Sequence, residues 1–378
     1  MGGAPGDHRP AGATGDGVSD VLQPGGGGVK ARRLLLFVLL AAAIAAGWYW
    51  QRFQSFADAP LAGIKADASL VVERGDNLDK VLRKLQAQGV ATGDRLSWQL
   101  LARQTGAAGR LQVGEYALPA DVSPGALLRA MRDGKVVRRK FTIVEGWNIR
   151  DLRAALRKVP LLEQKTAAMD DAALMGALGH AGQHPEGRFL PETYAWVRGD
   201  ADLDVLQRAY SAMDKALDDA WKSRDQDLPL DNRDQALALA SIVEKETGVG
   251  DERAQIAGVF VRRLKTGMRL QTDPTVIYGM GSNYAGNIRR ADLTTDTPYN
   301  TYTRTGLPPT PIAMPGKAAL RAATHPAPGD ALYFVAVGDG SGRHVFSASL
   351  DAHNSAVRDY VQRYRAQRQA EREGATPK

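Results

Sequence analysis

An uncharged apolar segment, LLLFVLLAAAIAAGWYW, occupies residues 34–50 of the chain. As a helix that rises about 1.5 Å per residue, it would be about 26 Å long, which is at the short end of what crosses a bilayer. Trp48, Tyr49 and Trp50 close the segment with aromatic rings of the kind that collect at membrane interfaces. The segment therefore predicts a transmembrane helix, and the rest of the chain has to fold beside a membrane.

Two other structures compete for this segment. A cleaved signal peptide would end in small residues, but this segment runs into WYWQRF, which favours an uncleaved anchor. A core helix would not need a basic cluster on one side and aromatic residues on the other. That cluster is Lys30, Arg32 and Arg33, and it predicts a cytoplasmic N-terminus with the chain from Gln51 onward outside the cytoplasm.

Composition restricts the classes of function. Charged residues make up 24% and hydrophobic residues 44% of the 378 residues, which is typical of a globular protein. The net charge of +7 is spread along the chain, so nucleic acid is not a predicted partner. The absence of cysteine excludes disulfides and thiolate metal sites. His180 and His184 have i, i+4 spacing, but their Gly- and Pro-containing context breaks a helix, so neither a metal site nor a cofactor is predicted.

Local patterns predict an α+β fold with a division into segments. Residues 1–33, rich in Gly and Pro, are predicted to be a disordered cytoplasmic tail. A strand at residues 70–72 precedes a helix capped by Asp76 or Asn77, a helix that carries Leu96, Leu100 and Leu101, and a helix that begins at Ser123 and Pro124. The predicted ranges are 34–50 for the transmembrane helix, 51–66 for a linker, 67–137 and 138–365 for two folded parts, and 366–378 for a charged tail.

A helix that contains the run EKE carries the most informative carboxylates. Leu239, Ile242, Val243 and Glu246 fall on one stripe at helical spacing, so a glutamate completes an apolar face. Glu244 points to another side of the helix. Burial raises the pKa of a carboxyl, which a general acid near neutral pH requires, so Glu246 is the better candidate for a catalytic acid. The alternative is that the stripe ends in water and Glu246 is solvated.

Two further segments hold polar residues that local structure does not explain. In LQTDPTVIYGMG, a helix cap accounts for Asp273 and the following proline, but not for Gln271 or Tyr278. The segment TPYNTYTRTGLPPTPIAMPG is long, Pro-rich and irregular, and such loops are usually functional. Asn300 and Tyr302 within it offer hydrogen-bond donors for hydroxyl or acetamido groups.

The segments SIVEKET, VFVRRLKTGMRLQTDPTVIYGMG and YNTYTRTGLPPTPIAMPG resemble the signature of the endolytic murein transglycosylases, the MltG or YceG-like family. Matching segments run from about Leu70 to Tyr360. The resemblance implies a YceG-like catalytic domain at residues 138–365 and a LysM-like βααβ subdomain at residues 67–137. It places the catalytic glutamate in the EKE run, aligned with Glu246.

The same resemblance implies the chemistry. The enzyme would cleave the bond between N-acetylmuramic acid and N-acetylglucosamine in nascent peptidoglycan strands and leave 1,6-anhydro ends, which terminates glycan elongation. It would lie in the inner membrane with its catalytic domain in the periplasm, and peptidoglycan synthases (penicillin-binding proteins) would be its partners. The residues expected to contact substrate are Glu244, Glu192, Gln271, Asp273, Tyr278, Asn300 and Tyr302.

The segment HPEGRFLPETYAW resembles a family loop of the form EGxxxPDTY, with Glu192 where aspartate is common. Its Pro and Gly residues predict a loop, and its aromatic residues Phe189, Tyr194 and Trp196 are candidates to stack on sugar rings or simply to pack.

Two other functions fit the same residues. A hydrolytic muramidase would use water and a second carboxylate, supplied by Asp273, Glu192 or Glu244. A membrane-tethered glycan-binding protein would hold the strand without turnover. The LysM-like subdomain likewise has an alternative, a scaffold that only spaces the catalytic domain from the membrane.

Overall fold

A computed structural model of the protein describes residues 1–2 and 27–374. Helix α1 spans Gly27–Asp58. Its segment Arg32–Asp58 contains an 18-residue stretch with a mean hydropathy of 1.8 and is long and apolar enough to cross a membrane. The predicted disorder of residues 3–26 lies outside the described residues. Residues 27–33 were expected to be disordered as well, but they are helical, because extending an existing helix costs less than nucleating one.

Helix α1 also continues beyond the apolar segment, into part of the predicted linker. Phe53 and Ala57 are buried, and the ring of Phe56 meets Trp98 edge-on with ring centroids 5.7 Å apart. Residues 51–58 are therefore helical, because their apolar side chains at helical spacing have a surface to pack against.

The chain divides into two compact units. The first comprises Met1–Ala68, Asn77–Arg110 and Leu118–Arg132, and the second comprises Ser69–Asp76, Leu111–Ala117 and Asp133–Lys378. Besides α1, the helices of the first unit are α2 (Leu78–Ala87), α3 (Arg95–Gln104) and α4 (Pro124–Asp133).

The helix caps of the first unit are as predicted. The side chain of Asn77 accepts a hydrogen bond from the backbone N–H of Lys80 at 3.0 Å, and Ser123 accepts one from Ala126 at 3.2 Å. Helix α3 carries the predicted leucines, but Leu96 is 55% exposed. The buried residue at its centre is Trp98, whose indole N–H donates to the carbonyl of Thr92 at 2.6 Å.

The second unit is mixed α and β, in agreement with the predicted fold class. Its strands pair as β1–β2, β3–β4 and β5–β6, each pair antiparallel. The strands are β1 (Ser69–Val72), β2 (Gly114–Ala117), β3 (Arg138–Thr142), β4 (Thr193–Val197), β5 (Tyr333–Ala336) and β6 (His344–Ser347). The helices are α5 (Ile149–Leu156), α6 (Asp171–Ala177), α7 (Asp202–Lys222), α8 (Arg233–Glu246), α9 (Arg253–Lys265), α10 (Asp273–Met280), α11 (Arg290–Thr294), α12 (Lys317–Thr324) and α13 (Leu350–Gly374).

Strand β4 corrects the prediction for the segment HPEGRFLPETYAW, whose end is a strand rather than a loop. Phe189, Tyr194 and Trp196 are 0%, 8% and 3% exposed, so their rings are not available to stack on a sugar. For Tyr194 and Trp196 the reason is the pairing with β3, in which Phe141 lies opposite Tyr194 and alternate side chains turn into the core.

Helix α8 lies at the centre of the second unit and packs against α7, α9, α10 and α12. It begins where Asn232 accepts a hydrogen bond from Gln235 N at 3.0 Å. Every residue from Ala236 to Val243 is buried, so the helix is enclosed on all sides rather than along the single predicted stripe. Its alanines allow this, because small side chains let neighbouring helices approach closely. The helix positions its last residues, the EKE run, from inside the core.

Candidate active site

A cavity of about 550 Å³ lies at the C-terminal end of α8. One wall comes from α8, α9, the start of α10 and the loop after α11, and consists of Glu246, Arg263, Gln271, Thr272, Asp273 and Tyr302. The other wall comes from β5 and α13, and consists of Tyr333, Phe334, Val335, Leu350, His353, Asn354 and Val357. The volume is in the range of sites that hold a small ligand or part of a larger one.

Glu246 is the last residue of α8, because the backbone of Thr247 is extended. Its carboxyl accepts a hydrogen bond from the hydroxyl of Thr272. Burial raises the pKa of Glu246 to about 7. The hydrogen bond from Thr272 and the charge of Arg263 act against this rise, and the charge of Asp273 adds to it. A carboxyl with this pKa is protonated in part of the molecules at neutral pH, so it can donate a proton to a group in the cavity.

Thr272 is itself held in place by the loop that follows α11. Its backbone N–H donates to the hydroxyl of Thr301 at 3.0 Å, and the Thr301 hydroxyl also lies 2.9 Å from that of Thr275. Gln271, next to it, donates its N–H to the carbonyl of Thr301 and has φ +49, in the left-handed region that favours glycine. A strained non-glycine backbone beside a candidate acid is characteristic of functional sites.

Asp273 and Tyr302 form a second polar group in the cavity wall. The Tyr302 hydroxyl donates to Asp273 Oδ1 at 2.6 Å, and burial raises the pKa of Tyr302. Arg263 is 7% exposed, and two of its guanidinium nitrogens donate to the carbonyls of Leu332 and Leu270. The cavity therefore combines a protonatable carboxyl, a carboxylate bonded to a phenol, and a fixed cation.

Glu244 and Glu192 do not line this cavity. Glu244 accepts a hydrogen bond from the N–H of Gly316 at 3.0 Å and lies 3.5 Å from Arg253, while burial raises its pKa. With Ser241, which accepts from Ile312 N at 2.9 Å, it fixes the Pro-rich loop to another side of α8. Glu192 forms an ion pair with Lys317.

Tyr278 and Asn300 also lie outside the cavity. Tyr278 donates a hydrogen bond to the fully buried carboxyl of Glu186. Glu186 also accepts a hydrogen bond from the N–H of Ile149 at 3.1 Å, and burial raises its pKa to about 7. Asn300 is 1% exposed, and its amide donates to the carbonyls of Asp292, Leu293 and Thr295. Both side chains fix the loops that surround the site.

The sequence did not predict the wall that α13 contributes. The segment from Ala352 to Gln369 reads only as a charged terminal helix, yet Leu350, His353, Asn354 and Val357 line the cavity. Their i, i+3, i+4, i+7 spacing was a signal, since it places all of them on one face. Thr272 and Thr301 were missed as well, because threonine in a loop carries no specific chemical signal.

Residues 70–359 match the sequence profile of the YceG-like family, which is well over half of the chain. The chain belongs to the YceG-like family. The resemblance seen in the sequence motifs is thereby confirmed.

Several characterised and solved relatives of this YceG-like protein are similar to it. An endolytic murein transglycosylase of Bacillus subtilis (strain 168) is 29% identical over 314 residues, covering 79% of this chain and 86% of that protein. One from Streptococcus pneumoniae serotype 2 is 31% identical over 182 residues, covering 47% of this chain and 32% of that protein. A crystal structure of a putative yceG-like protein from Listeria monocytogenes is 27% identical with a TM-score of 0.47, and covers 77% of this chain and 99% of that chain.

Proposed function

We propose that this protein is an endolytic lytic transglycosylase that cleaves the bond between N-acetylmuramic acid and N-acetylglucosamine in nascent peptidoglycan strands. The observation that carries the proposal is the buried Glu246 carboxyl, which has a pKa of about 7 and lies in a cavity large enough for part of a glycan. The name shared by the relatives in Bacillus subtilis and Streptococcus pneumoniae supports the same reaction.

In the proposed reaction Glu246 acts first as an acid and then as a base. Its proton goes to the glycosidic oxygen as the bond from that oxygen to the anomeric carbon of the muramoyl residue breaks, which releases the N-acetylglucosamine 4-hydroxyl. The Glu246 carboxylate then takes the proton of the muramoyl 6-hydroxyl, whose oxygen bonds to the anomeric carbon. The product is a 1,6-anhydro end, no water is consumed, and Glu246 is protonated again.

The remaining residues of the first cavity wall position the glycan in this proposal. Gln271, Asp273 and Tyr302 would hydrogen-bond the sugar rings beside Glu246, and the hydroxyl of Thr272 would hold the carboxyl in place. Glu244, Glu192, Tyr278 and Asn300 lie outside the cavity, so their proposed contribution is to fix the loops that shape it.

The hydrolytic alternative is favoured by one observation. Of the three carboxylates that could activate water, only Asp273 lines the same cavity as Glu246. The Asp273 carboxylate accepts a hydrogen bond from the Tyr302 hydroxyl. This contact is consistent with a structural role for Asp273 as well as with that of a general base.

The division of the chain and its location are also proposals. The βααβ order of β1, α2, α3 and β2 supports a LysM-like subdomain at residues 67–137 ahead of a catalytic domain at residues 138–365. The basic residues before the apolar segment support an N-terminus in the cytoplasm and a catalytic domain in the periplasm. There the enzyme would terminate strands as peptidoglycan synthases extend them.

The experiment that tests the function uses the full-length protein in detergent with purified glycan strands. Sustained shortening of the strands is expected, and it should be lost in Glu246→Gln, which keeps the size of the side chain but removes the transferable proton. Glycan binding without shortening by the unmodified protein would contradict the proposal and identify a glycan-binding protein instead.

A further inference from the structure

One face of α13 is open to the cavity beside Glu246. Leu350, His353, Asn354 and Val357 lie on this face at helical spacing, and all four line the cavity. The ring of His353 stacks on Tyr333 of the neighbouring strand, with ring centroids 5.2 Å apart and an angle of 22° between the rings. The face is therefore oriented toward whatever the cavity binds.

The two polar side chains of this face differ in their exposure. Among the side chains that the structure describes, residues 32–369, no hydrogen-bond partner is found for the Asn354 amide, which is exposed to solvent, or for Nδ1 of His353, which is buried. Buried polar atoms in folded proteins are nearly always hydrogen-bonded, so an unpaired one in a cavity points to a ligand. Leu350 beside them is 54% exposed, which leaves an apolar surface next to the free amide.

This combination fits a neutral group that has both an amide and a methyl. A carboxamide side chain offers a donor and an acceptor together, which is what a secondary amide needs. Leu350 and Val357 offer apolar contact for a methyl group. The four residues of this face carry no cation, since burial and the charge of Arg263 lower the pKa of His353 and favour its neutral ring. Arg263, the cation in the same cavity, already donates from two of its guanidinium nitrogens to the carbonyls of Leu332 and Leu270.

We propose that this face of α13 is a subsite for the 2-acetamido group of a sugar residue, with Asn354 pairing with the amide and Nδ1 of His353 accepting a hydrogen bond from a sugar hydroxyl. The inference rests on the proposed glycan substrate and adds the residues that would recognise its acetylation. In this proposal the C-terminal helix makes the enzyme selective for N-acetylated over de-N-acetylated strands.

The test measures binding and not cleavage, in full-length Glu246→Gln protein held in detergent. The probes are a tetramer of N-acetylglucosamine and the same tetramer without its acetyl groups, each titrated by calorimetry. Adding Asn354→Ala should weaken binding of the acetylated tetramer by about 5-fold to 10-fold, the usual range for one lost hydrogen bond, and leave the de-N-acetylated tetramer unchanged. Each variant is compared with its parent protein using the same tetramer, so the charge of the de-N-acetylated tetramer does not affect the comparison.

Two further variants complete the design. Ser355→Ala changes the next residue, which is exposed and does not line the cavity, and should leave both affinities unchanged. His353→Phe keeps a ring on Tyr333 but removes Nδ1, so it should weaken the binding of both tetramers by a similar factor. Asn354→Ala should not unfold the helix, because alanine favours helix more than asparagine does; equal melting temperatures would verify this.

The inference is overturned if Asn354→Ala leaves the acetylated tetramer unaffected or weakens both tetramers equally, or if His353→Phe changes neither affinity. Failure of the proposed function would give a different result. The unmodified protein would then leave glycan strands uncut, whatever the binding measurements show.

Discussion

At the scale of single residues, the two glutamates of the EKE run differ in their partners rather than in their burial. Glu246 accepts a hydrogen bond from the hydroxyl of Thr272 and lines a cavity, whereas Glu244 accepts one from the N–H of Gly316 and lies near Arg253. A proton on Glu246 can therefore reach a ligand in the cavity. The Glu244 carboxyl instead contacts Gly316 and Arg253 of the protein itself.

The two glutamates should respond in opposite ways to the same substitution. Glu246→Gln should lower the turnover number by about 100-fold or more, the usual scale for general acid catalysis, and keep the melting temperature, because a neutral amide is easier to bury than a charge. Glu244→Gln should lower the stability by about 1–3 kcal/mol, because Arg253 loses a charged partner, with a smaller effect on turnover. Turnover and thermal unfolding of both variants check this, and equal losses of turnover would contradict it.

The buried carboxyls also predict how the protein responds to pH. Burial raises the pKa of Glu246 from an ordinary 4.5 to about 7, so turnover should fall as pH rises through about 7 and the acid loses its proton. Glu186 has a pKa raised to about 7 for the same reason. Because the folded state holds these protons more tightly than the unfolded state, stability is greatest below about pH 4.5 for this contribution and decreases up to about pH 7.

Thermal unfolding between pH 5 and pH 8 measures this decrease. The melting temperature should fall over this range, and it should fall less in Glu246→Gln and in Glu186→Gln, each of which removes one of the two groups. A melting curve with the same pH dependence in all three proteins would contradict the assignment.

At the scale of elements, the site depends on loops that are packed against each other. Gly187 has φ +78, and an added Cβ would lie 2.6 Å from Cβ of Pro311 in the Pro-rich loop. Gly182 has a similar φ of +85 but no atom within 4 Å of such a Cβ. Gly187→Ala should therefore destabilise the protein by about 1–3 kcal/mol more than Gly182→Ala, since both incur the backbone strain but only one is overpacked. Chemical denaturation of both variants decides this, and equal losses would mean that the loop moves aside freely.

Local signals in the sequence predicted the elements well, and tertiary contacts explain where they failed. Asn77 and Ser123 cap helices as expected, because a cap is a contact within a few residues. The burial of Tyr194 and Trp196 was not predictable from their segment, because it depends on pairing with the distant strand β3. Glu246 was predicted as the catalytic acid from its helical stripe and the family resemblance, whereas the position of Asn354 depends on where α13 packs.

At the scale of the whole molecule, the orientation of the predicted anchor in the membrane decides whether the part that contains Glu246 faces peptidoglycan. A reporter that is active only outside the cytoplasm, fused after Lys378, should be active. Moving the charges of Lys30, Arg32 and Arg33 to the far side of Trp50 should reduce that activity, because basic residues remain in the cytoplasm. An inactive reporter on the unmodified protein would place the site away from peptidoglycan and contradict the orientation.

The fate of water in the reaction tests the central claim most directly. The full-length protein is incubated with purified glycan strands in isotopically labelled water, and the new ends are analysed by mass spectrometry. If the muramoyl 6-hydroxyl attacks the anomeric carbon, the ends are 1,6-anhydro, one water lighter than reducing ends, and carry no label. Reducing ends that carry the label would contradict the claim and show that the enzyme is a hydrolytic muramidase, with Asp273 as its candidate base.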